Sequence, residues 1–395
     1  MNQFNQIQSR INTRSIKWDL MEVVFKQEDL LPMWIADMDF QAPVEINEAI
    51  IDRAEHGIYG YTAIDPTLKA QITSWLKRRH DWIVKEESLS FSPSVVTSLH
   101  LAVTTFTAPG DKILIQTPVY TPFFNVIKGH DREVITNELV LNKKTNKYEI
   151  DFTSFEQKLA SGAKAFILCS PHNPVGRVWT KEELSTMANL CEQYGVLIIS
   201  DEIHADLIYK PYTHIPIASL SEKVAHNTIT FMSPSKSFNL AGLHASYGII
   251  TNKHLRKKFD DGLKKFGLNG LNTIGIYALE AAYKYGEQWL EQLLKVLEEN
   301  KNYVLEQFST HTPQLKVIDA EGTYLLWIDC SNLGKTDLEL EKFFIEKAKV
   351  ALNRGINYGK EGRQFMRMNI ACPKPLLKKG ITQIINAVKN HIQDH

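Results

Sequence analysis

The chain of 395 residues has few of the features that mark membrane, secreted or nucleic-acid-binding proteins. No apolar run approaches the roughly 18 residues that a membrane span needs, and the first residues lack the charged and apolar regions of a secretory signal. Lys plus Arg equals Asp plus Glu at 45 each, so the formal net charge is zero. That balance argues against nucleic acid or an anionic membrane as the main partner.

Cysteine is scarce too, and the four thiols are scattered without a Cys-x-x-Cys pair (Cys169, Cys191, Cys330 and Cys372). Two of them lie in or beside strand-like runs, where a thiol is usually a small core hydrophobe. Internal repeats, low-complexity tracts and blocks of like charge are also missing, which argues against a solenoid or a disordered arm. We therefore expect a globular protein of the reducing cytoplasm.

Several catalytic motifs are absent. There is no His-Glu-x-x-His, and the 13 histidines show no metal-ligand spacing, so we expect no metal. Neither Gly-x-Ser-x-Gly nor a Gly-x-Gly-x-x-Gly after a strand occurs, which disfavours an α/β-hydrolase and a dinucleotide enzyme. The stretch from Asp329 to Thr336 resembles a P-loop, but Asp329 stands where the first glycine belongs.

The strongest pattern is an alternation of short apolar runs with longer amphipathic stretches between about residues 85 and 250. This alternation is typical of βαβ units and predicts an α/β fold with a mostly parallel sheet. The stretch 181–191 has helical spacing of its apolar residues. Strands are predicted at residues 90–92, 112–116, 165–169, 196–200, 228–232 and 247–250.

After residue 285 the pattern changes to a long amphipathic helix from Trp289 to Phe308, strands at 315–318, 324–329 and 365–370, and a last helix from Leu377 to Ile392. We predict a large domain at residues 46–285 and a smaller α+β domain at 286–395. The N-terminal segment 1–45 is predicted to join the small domain, and the long helix to bridge the two.

The sequence Ser233-Pro-Ser-Lys236 directly follows the predicted strand 228–232. A hydroxyl-flanked lysine at a strand end suits a Schiff-base lysine that holds an aldehyde cofactor such as pyridoxal phosphate. A lone Ser-x-x-Lys has little weight, since most exposed lysines are simply solvated. Asn173 and Asp201, however, follow two other strands. Ligands of open α/β sheets bind at that edge, so the three strand ends together predict a cofactor site.

Each of these polar residues also has a plainer interpretation. A carboxylate such as Asp201 at a buried strand end is costly unless paired, and a protonated pyridine nitrogen would pair with it; the alternative is a cap of the next helix. Asn173 is predicted to donate to the phenolate oxygen of the cofactor, or else to form a turn before Pro174. His204 would reach the same ring edge, or would be a satisfied core histidine.

A phosphate and an aromatic ring need further partners. The backbone amides of Val95 and Val96, near Ser94, begin a predicted helix and would face a phosphate. The alternative is an ordinary turn with Ser94 as N-cap. Tyr120 leaves another strand end and would stack on a pyridine ring, unless it is only a half-buried loop tyrosine.

Together these residues resemble the fold-type-I pyridoxal-phosphate enzymes of the aminotransferase superfamily, and more narrowly the MalY/PatB-like cystathionine β-lyases. The resemblance runs from about residue 10 to the C-terminus. Its motifs are Ile16-Lys-Trp-Asp19, Leu31-Pro-Met-Trp-Ile-Ala-Asp-Met-Asp-Phe40, Gly57-Ile-Tyr-Gly-Tyr-Thr62, Ser170-Pro-His-Asn-Pro-Val-Gly176, Ser200-Asp-Glu-Ile-His204, the stretch from Ser233 to Gly242, and Phe365-Met-Arg-Met-Asn369.

The resemblance implies a seven-stranded, mostly parallel sheet in a large cofactor domain, and a small domain made from both chain ends. It also implies a homodimer with active sites at the subunit interface. Lys236 would be the Schiff-base lysine, and Val95, Val96 and Ser233 would hold the phosphate. Tyr61 would reach the phosphate of the neighbouring subunit.

For catalysis and substrate binding the resemblance implies four residues. Lys236 and Tyr120 are the predicted catalytic residues, with Tyr120 stacked on the ring. Arg367 would clamp the α-carboxylate of the substrate through two parallel hydrogen bonds, with Asn173 beside it. Many superfamily members carry an arginine eight residues after the lysine, where this chain has His244, and many aminotransferases have a tyrosine where His204 stands.

The leading expectation is a β-lyase that cleaves the Cβ–S bond of cystathionine or a related cysteine S-conjugate to a thiol, pyruvate and ammonia. Lys236, once displaced by the substrate amine, would take the Cα proton. An aminotransferase would use the same residues, and the sequence leaves open which reaction follows proton removal. A regulatory protein with incidental lyase activity is a third reading, without an extra domain or basic patch to support it. The physiological sulfur amino acid stays open.

Overall fold

The structure is a computed structural model that describes residues 3–268 and 270–393. The α-helices in these residues are α1 (Ile16–Asp19), α2 (Met21–Phe25), α3 (Val44–His56), α4 (Pro66–His80), α5 (Val95–Phe106), α6 (Pro122–Lys128), α7 (Phe152–Ala160), α8 (Lys181–Gln193), α9 (Glu222–His226), α10 (Pro234–Ser237), α11 (Lys253–Lys265), α12 (Thr273–Tyr285), α13 (Glu287–His311), α14 (Asp337–Lys342) and α15 (Lys374–Gln393).

The strands in the same residues are β1 (Leu31–Pro32), β2 (Leu89–Ser92), β3 (Lys112–Thr117), β4 (Glu133–Glu138), β5 (Val140–Asn142), β6 (Lys147–Glu149), β7 (Ala163–Cys169), β8 (Leu197–Asp201), β9 (Thr228–Met232), β10 (Ser246–Ile249), β11 (Lys316–Val317), β12 (Leu325–Asp329), β13 (Val350–Ala351), β14 (Asn353–Arg354) and β15 (Phe365–Asn369). Short 3₁₀ turns and one π-helical segment, Phe343–Lys347, lie between these elements.

A seven-stranded sheet forms the centre of the molecule, in the order β2-β10-β9-β8-β7-β3-β4. Strand β10 runs antiparallel to both of its neighbours, and the other pairs are parallel. The predicted α/β fold with a mostly parallel seven-stranded sheet is therefore confirmed. The βαβ connections place helices on both faces, which is the usual arrangement for parallel strands.

Both faces of this sheet are buried, and the alternation of side chains along β3 illustrates it. Ile113 and Ile115 belong to the apolar cluster that contains buried residues of α5. Leu114, between them, belongs to the cluster that contains buried residues of α7 and α8. Successive side chains of a strand point to opposite faces. A continuous apolar run in the sequence therefore corresponds to a strand covered on both sides.

Most predicted strands match within one or two residues. The prediction for 228–232 coincides with β9, whereas β7 begins two residues before the predicted 165. The prediction for 196–200 was wrong by one residue at each end, because β8 runs from Leu197 and includes Asp201. The edge strand β4 was missed, since its polar sequence, Glu-Val-Ile-Thr-Asn-Glu, is mostly half-buried and has no long apolar run.

A second, antiparallel sheet lies in the C-terminal part, in the order β11-β12-β15-β14. It accounts for the three strands predicted after residue 310, and α13 and α15 account for the two predicted helices. Strand β1 pairs in parallel with β13, so the N-terminal segment lies beside this C-terminal part. The domain boundaries themselves stay a prediction.

A helix that crosses a membrane needs about 20 consecutive, mostly apolar residues. Among the residues that the structure describes, none of the helices combines the necessary length with a sufficiently apolar sequence. The longest, α13, has 25 residues but carries a charged face beside its buried one.

Candidate active site

A cavity of about 190 Å³ lies at the carboxyl ends of β7, β8 and β9. Strands β7 and β8 contribute their last residues, Cys169 and Asp201, and Ser233 directly follows β9. The position agrees with the rule that open α/β sheets bind ligands at this edge. Eight of the predicted site residues line the cavity: Val95, Val96, Tyr120, Asn173, Asp201, His204, Ser233 and Lys236.

Lys236 lies in the short helix α10, directly after β9. Its Nζ donates a hydrogen bond to the backbone carbonyl of Ala36 at 2.7 Å. Burial and, to a smaller extent, the nearby positive charge of Arg367 lower the pKa of Lys236 to about 8, although the charges of Asp37 and Asp201 oppose the shift. At neutral pH a useful fraction of this amine is therefore unprotonated, as a nucleophile or a general base requires.

Asp201 is a buried carboxylate with little internal compensation. It is 4% exposed, and its Oδ1 accepts one hydrogen bond, from the backbone amide of Ile203 at 3.2 Å. Burial raises the pKa of Asp201 to about 7, although that hydrogen bond and the charge of Lys236 oppose the rise. The residue caps a turn, and no helix begins there. A cationic ligand group in the cavity would supply the partner that Asp201 lacks.

His204 and Asn173 line the same cavity as this carboxylate. His204 is 4% exposed, and its Nδ1 has no hydrogen-bond partner among the described residues. Burial, with help from the charges of Lys236 and Arg367, lowers the pKa of His204 to about 3, so the imidazole is neutral. The Oδ1 of Asn173 accepts a hydrogen bond from Arg367 Nη1 at 3.2 Å.

The first turn of α5 reaches the cavity with Val95 and Val96. Ser94 is the N-cap of this helix, since its Oγ accepts a hydrogen bond from the amide of Thr97 at 3.1 Å. The plainer interpretation of Ser94 is therefore correct. It is also compatible with the other one, because the first amides of a helix are not used within it and attract anions.

Ser233 and Tyr120 complete the wall. The hydroxyl of Ser233 donates to the carbonyl of Ala245 at 2.7 Å and accepts from the amide of Ser235 at 3.1 Å, so it caps α10. Its proton is therefore already engaged in this structure. Burial, followed by the negative charge of Asp201, raises the pKa of Tyr120 to about 12, so its phenol stays protonated.

Two predicted residues do not belong to the cavity wall. Arg367, in β15, is 3% exposed and lies next to the cavity, where its Nη2 donates to the carbonyl of Trp34 at 2.8 Å. Its Nε has no partner, and it pairs with no carboxylate among the described residues. Tyr61 lies elsewhere, in an irregular segment between α3 and α4, and its side chain is fully exposed in the single chain.

Sequence reasoning missed several residues that surround this site. Ser235 lines the cavity and was passed over although it stands next to Lys236. Tyr358 lies under Arg367, with its ring centroid 5.1 Å from the guanidinium carbon. Tyr324 donates to the same Ala36 carbonyl as Lys236, at 3.0 Å. Adjacency would have suggested Ser235, but no local signal distinguishes Tyr324 or Tyr358 from other strand and loop tyrosines.

The arrangement has known relatives. The family model described as aminotransferase class I and II matches residues 29–384. The chain is 43% identical to cystathionine beta-lyase PatB of Bacillus subtilis (strain 168) over 382 residues, 96% of this chain and 98% of that protein. It is 36% identical to protein MalY of Escherichia coli (strain K12) over 391 residues, 98% of each chain.

A solved structure agrees with these two relatives. Cystalysin from Treponema denticola, described as containing a pyridoxal 5'-phosphate cofactor, is 36% identical, and the match covers 98% of both chains with a TM-score of 0.95. The family model covers most of the chain, and two relatives above 30% identity span nearly all of it. The chain therefore belongs to the aminotransferase class I and II family and, within fold type I, to the MalY/PatB-like C–S lyases.

Proposed function

We propose that this chain is a pyridoxal-phosphate-dependent C–S β-lyase. Its substrate would be L-cystathionine or a related cysteine S-conjugate, which it cleaves with water to a thiol, pyruvate and ammonia. The observation that carries the proposal is that one cavity holds both a lysine whose pKa is lowered to about 8 and a buried aspartate that forms no salt bridge among the described residues. The names of the relatives supply the reaction type.

The cavity fits the cofactor by its unused polar groups. Asp201 forms no salt bridge among the described residues and would bind a protonated pyridine nitrogen. The first-turn amides of Val95 and Val96 would bind the phosphate, with Ser233 beside them. Lys236 would bind the aldehyde, as a nucleophilic amine with a lowered pKa does.

Three further residues would contact the ring of the cofactor. Tyr120 would stack on it, and Asn173 would donate to its phenolate oxygen. His204, neutral at working pH because burial lowers its pKa to about 3, would contact the same edge through a ring nitrogen. The unpartnered buried Nδ1 of His204 supports this assignment, since a buried polar atom normally has a partner.

When bound, pyridoxal phosphate supplies an electron-accepting ring that stabilises the negative charge left on the substrate Cα by proton removal. Lys236 would remove that proton, since its amine is partly unprotonated near neutral pH. The sulfur then leaves Cβ with the bonding electron pair as a thiolate. The remaining three-carbon enamine takes up water and yields pyruvate and ammonia.

Arg367 would hold the α-carboxylate of the substrate. It is buried, it has no carboxylate partner among the described residues, and its Nε is unused. A guanidinium binds a carboxylate through two parallel hydrogen bonds, which orients the substrate as well as binding it. Asn173, at 3.2 Å from Arg367 Nη1, would help to fix this geometry.

An aminotransferase is the second candidate, because the family model carries that description and the same residues would serve both reactions. The decisive experiment follows free thiol and pyruvate from L-cystathionine, with and without 2-oxoglutarate. We expect thiol and pyruvate in equal amounts without any 2-oxo acid, over many turnovers. Turnover that requires the 2-oxo acid and releases no thiol would favour the aminotransferase instead.

We also propose a homodimer with shared active sites, in which Tyr61 reaches the phosphate site of the neighbouring subunit. The exposure of Ile58, Tyr59 and Tyr61 in one segment supports it, because large exposed apolar groups cluster at interfaces. A cytoplasmic location is proposed from four free, buried thiols. The domains would be 46–285 and 286–395, with 1–45 joining the smaller one, as the β1–β13 pairing supports.

A further inference from the structure

Residues 34–38 form what we call the carbonyl strap, an irregular segment that passes close to Lys236. Each of its five consecutive carbonyls accepts at least one hydrogen bond from a side chain of another element. The donors are Asn353 and Arg367 to Trp34, Asn369 to Ile35, Lys236 and Tyr324 to Ala36, Asn369 and Lys17 to Asp37, and Arg10 and Asn239 to Met38. Side chains rather than regular secondary structure therefore fix the position of every carbonyl.

The middle carbonyl, that of Ala36, has two donors at once. Lys236 Nζ lies 2.7 Å from it and the hydroxyl of Tyr324 lies 3.0 Å from it. A backbone carbonyl has two lone pairs, so both bonds are possible together. Among the described residues, Tyr324 is therefore the side chain that still donates a hydrogen bond to this carbonyl when the bond from Lys236 is broken.

Tyr324 is suited to that task. It is 1% exposed and its ring packs edge-on against that of His204, with centroids 6.0 Å apart. Burial raises the pKa of Tyr324 well above its ordinary value, so the hydroxyl keeps its proton and remains a donor. A buried phenol with fixed neighbours has few conformations, so little side-chain conformational entropy is lost when its hydroxyl bonds the carbonyl of Ala36.

We propose that Tyr324 is a positioning residue for Lys236, because it holds the Ala36 carbonyl as the resting place of the free amine. The inference rests on the proposed function, in which Lys236 alternates between the cofactor and the free state. A free lysine amine ends a flexible four-carbon side chain, and an acceptor at a fixed point confines its Nζ near the reacting atoms. Tyr324 acts through the carbonyl of Ala36 and would not itself contact the substrate.

The test variant is Tyr324→Phe, which removes the hydroxyl and keeps the ring. The first measurement is the rate at which the apoprotein forms its covalent bond with added pyridoxal phosphate, followed by visible absorbance at saturating cofactor. We expect this rate and kcat each to fall by about 10- to 100-fold, since a misplacement of about 1 Å costs a factor of that size. KM should change by less than about threefold, because Arg367 is untouched.

The matched control is Tyr283→Phe, another buried tyrosine, whose hydroxyl lies 2.9 Å from that of Tyr247 and outside the cavity. It should lower the free energy of unfolding by a similar amount and leave both rates unchanged. If Tyr324→Phe lowers only the unfolding free energy and neither rate, the residue is merely structural and the inference is wrong.

A second measurement separates positioning from direct catalysis. In Lys236→Ala, an added small amine such as methylamine can replace the missing base. The rescued rate should be the same with and without Tyr324→Phe, because the added amine is not held by the strap. If Tyr324→Phe slows the methylamine-rescued reaction of Lys236→Ala as much as it slows the reaction of the protein with Lys236, the inference is wrong. The rate at which the apoprotein forms its covalent bond with pyridoxal phosphate does not depend on the reaction catalysed afterwards. That measurement therefore tests the role of Tyr324 even if the lyase proposal is wrong.

Discussion

Two buried carboxylates stand next to each other at the end of β8, and their surroundings differ. Glu202 is fully buried, accepts a hydrogen bond from Ser200 Oγ at 2.8 Å and lies 2.8 Å from His214 Nε2. Among the described residues, the carboxylate of Asp201 accepts one hydrogen bond, from the amide of Ile203 at 3.2 Å. Glu202 is compensated within the fold, whereas Asp201 faces the cavity and is not.

Two buried arginines repeat the contrast. Arg177 bonds Glu321 at 2.9 Å and Glu183 at 2.9 Å, and it also donates to the carbonyl of Tyr148. Arg367 is buried to a similar degree but pairs with no carboxylate among the described residues. Both arginines stack near an aromatic ring, Trp179 for Arg177 and Tyr358 for Arg367. The two arginines therefore differ in their carboxylate partners, which Arg177 has and Arg367 lacks among the described residues.

An uncompensated buried charge costs stability, so its persistence indicates that a ligand pairs with it. The comparison separates Glu202 and Arg177, whose charges are paired within the fold, from Asp201 and Arg367, whose charges are available to a ligand. All four side chains are buried. The comparison also gives each proposed site residue a control of the same type within the chain. The predictions that follow use those controls.

The largest effect is expected at Lys236, which donates to the backbone carbonyl of Ala36, and its control is Lys301, a buried lysine that donates to the backbone carbonyl of Ala320. Lys236→Ala should lower kcat by about 10²- to 10⁴-fold or more, because the general base is lost. It should also abolish the borohydride-reducible bond between protein and cofactor. Lys301→Ala should keep that bond and lower only the free energy of unfolding. A reducible bond retained in Lys236→Ala would reassign the lysine.

The two arginines should separate binding from folding. Arg367→Ala should weaken amino-acid binding by about 2–5 kcal/mol, the usual result of removing one member of a buried charged contact, with cofactor occupancy intact. Arg177→Ala should instead lower the free energy of unfolding by about 3–5 kcal/mol, since Glu183 loses its cation and Glu321 keeps only Lys147. Substrate titrations and urea denaturation measure the two quantities. Unchanged substrate affinity in Arg367→Ala together with cofactor loss would contradict its role.

The two carboxylates should differ in their effect on the pH dependence of stability. The pKa of Asp201 is raised from 3.8 to about 7, so between these values the folded apoprotein keeps a proton that the unfolded chain releases. Stability should therefore be full below pH 4 and fall as pH rises towards 7, by at most about 4 kcal/mol for this group. Asp201→Asn should remove that decline.

Glu202→Gln is the control, measured with Asp201→Asn by urea denaturation of the apoproteins between pH 4 and 8. It should lower the free energy of unfolding by about 1–3 kcal/mol, because an amide cannot replace both acceptor oxygens. Asp201→Asn should leave stability at pH 7 unchanged or raise it. A loss of stability at pH 7 as large as that of Glu202→Gln would mean that Asp201 holds the fold and is not kept for a ligand.

Local sequence was sufficient for much of the fold. Strand β9 was predicted at its observed bounds because Thr-Ile-Thr-Phe-Met is short, apolar and rich in β-branched residues. Strand β4 was missed because an edge strand with one exposed side does not need an apolar run. The capping role of Ser94 was also readable, since an N-cap depends on residues three positions apart.

The sequence by itself determined that polar residues stand at the carboxyl ends of three strands, and hence that Lys236, Asp201 and Asn173 meet at one edge of the sheet. This follows because the alternation of strands and helices, which predicts a parallel sheet, is visible locally, and parallel strands share one carboxyl edge. Only the tertiary structure decided that Ala36 accepts from Lys236 and Tyr324, 200 and 288 residues away. It also decided that Asp201 forms no salt bridge among the described residues while Glu202 lies against His214, because burial and charge pairing depend on groups that come together only when the chain folds.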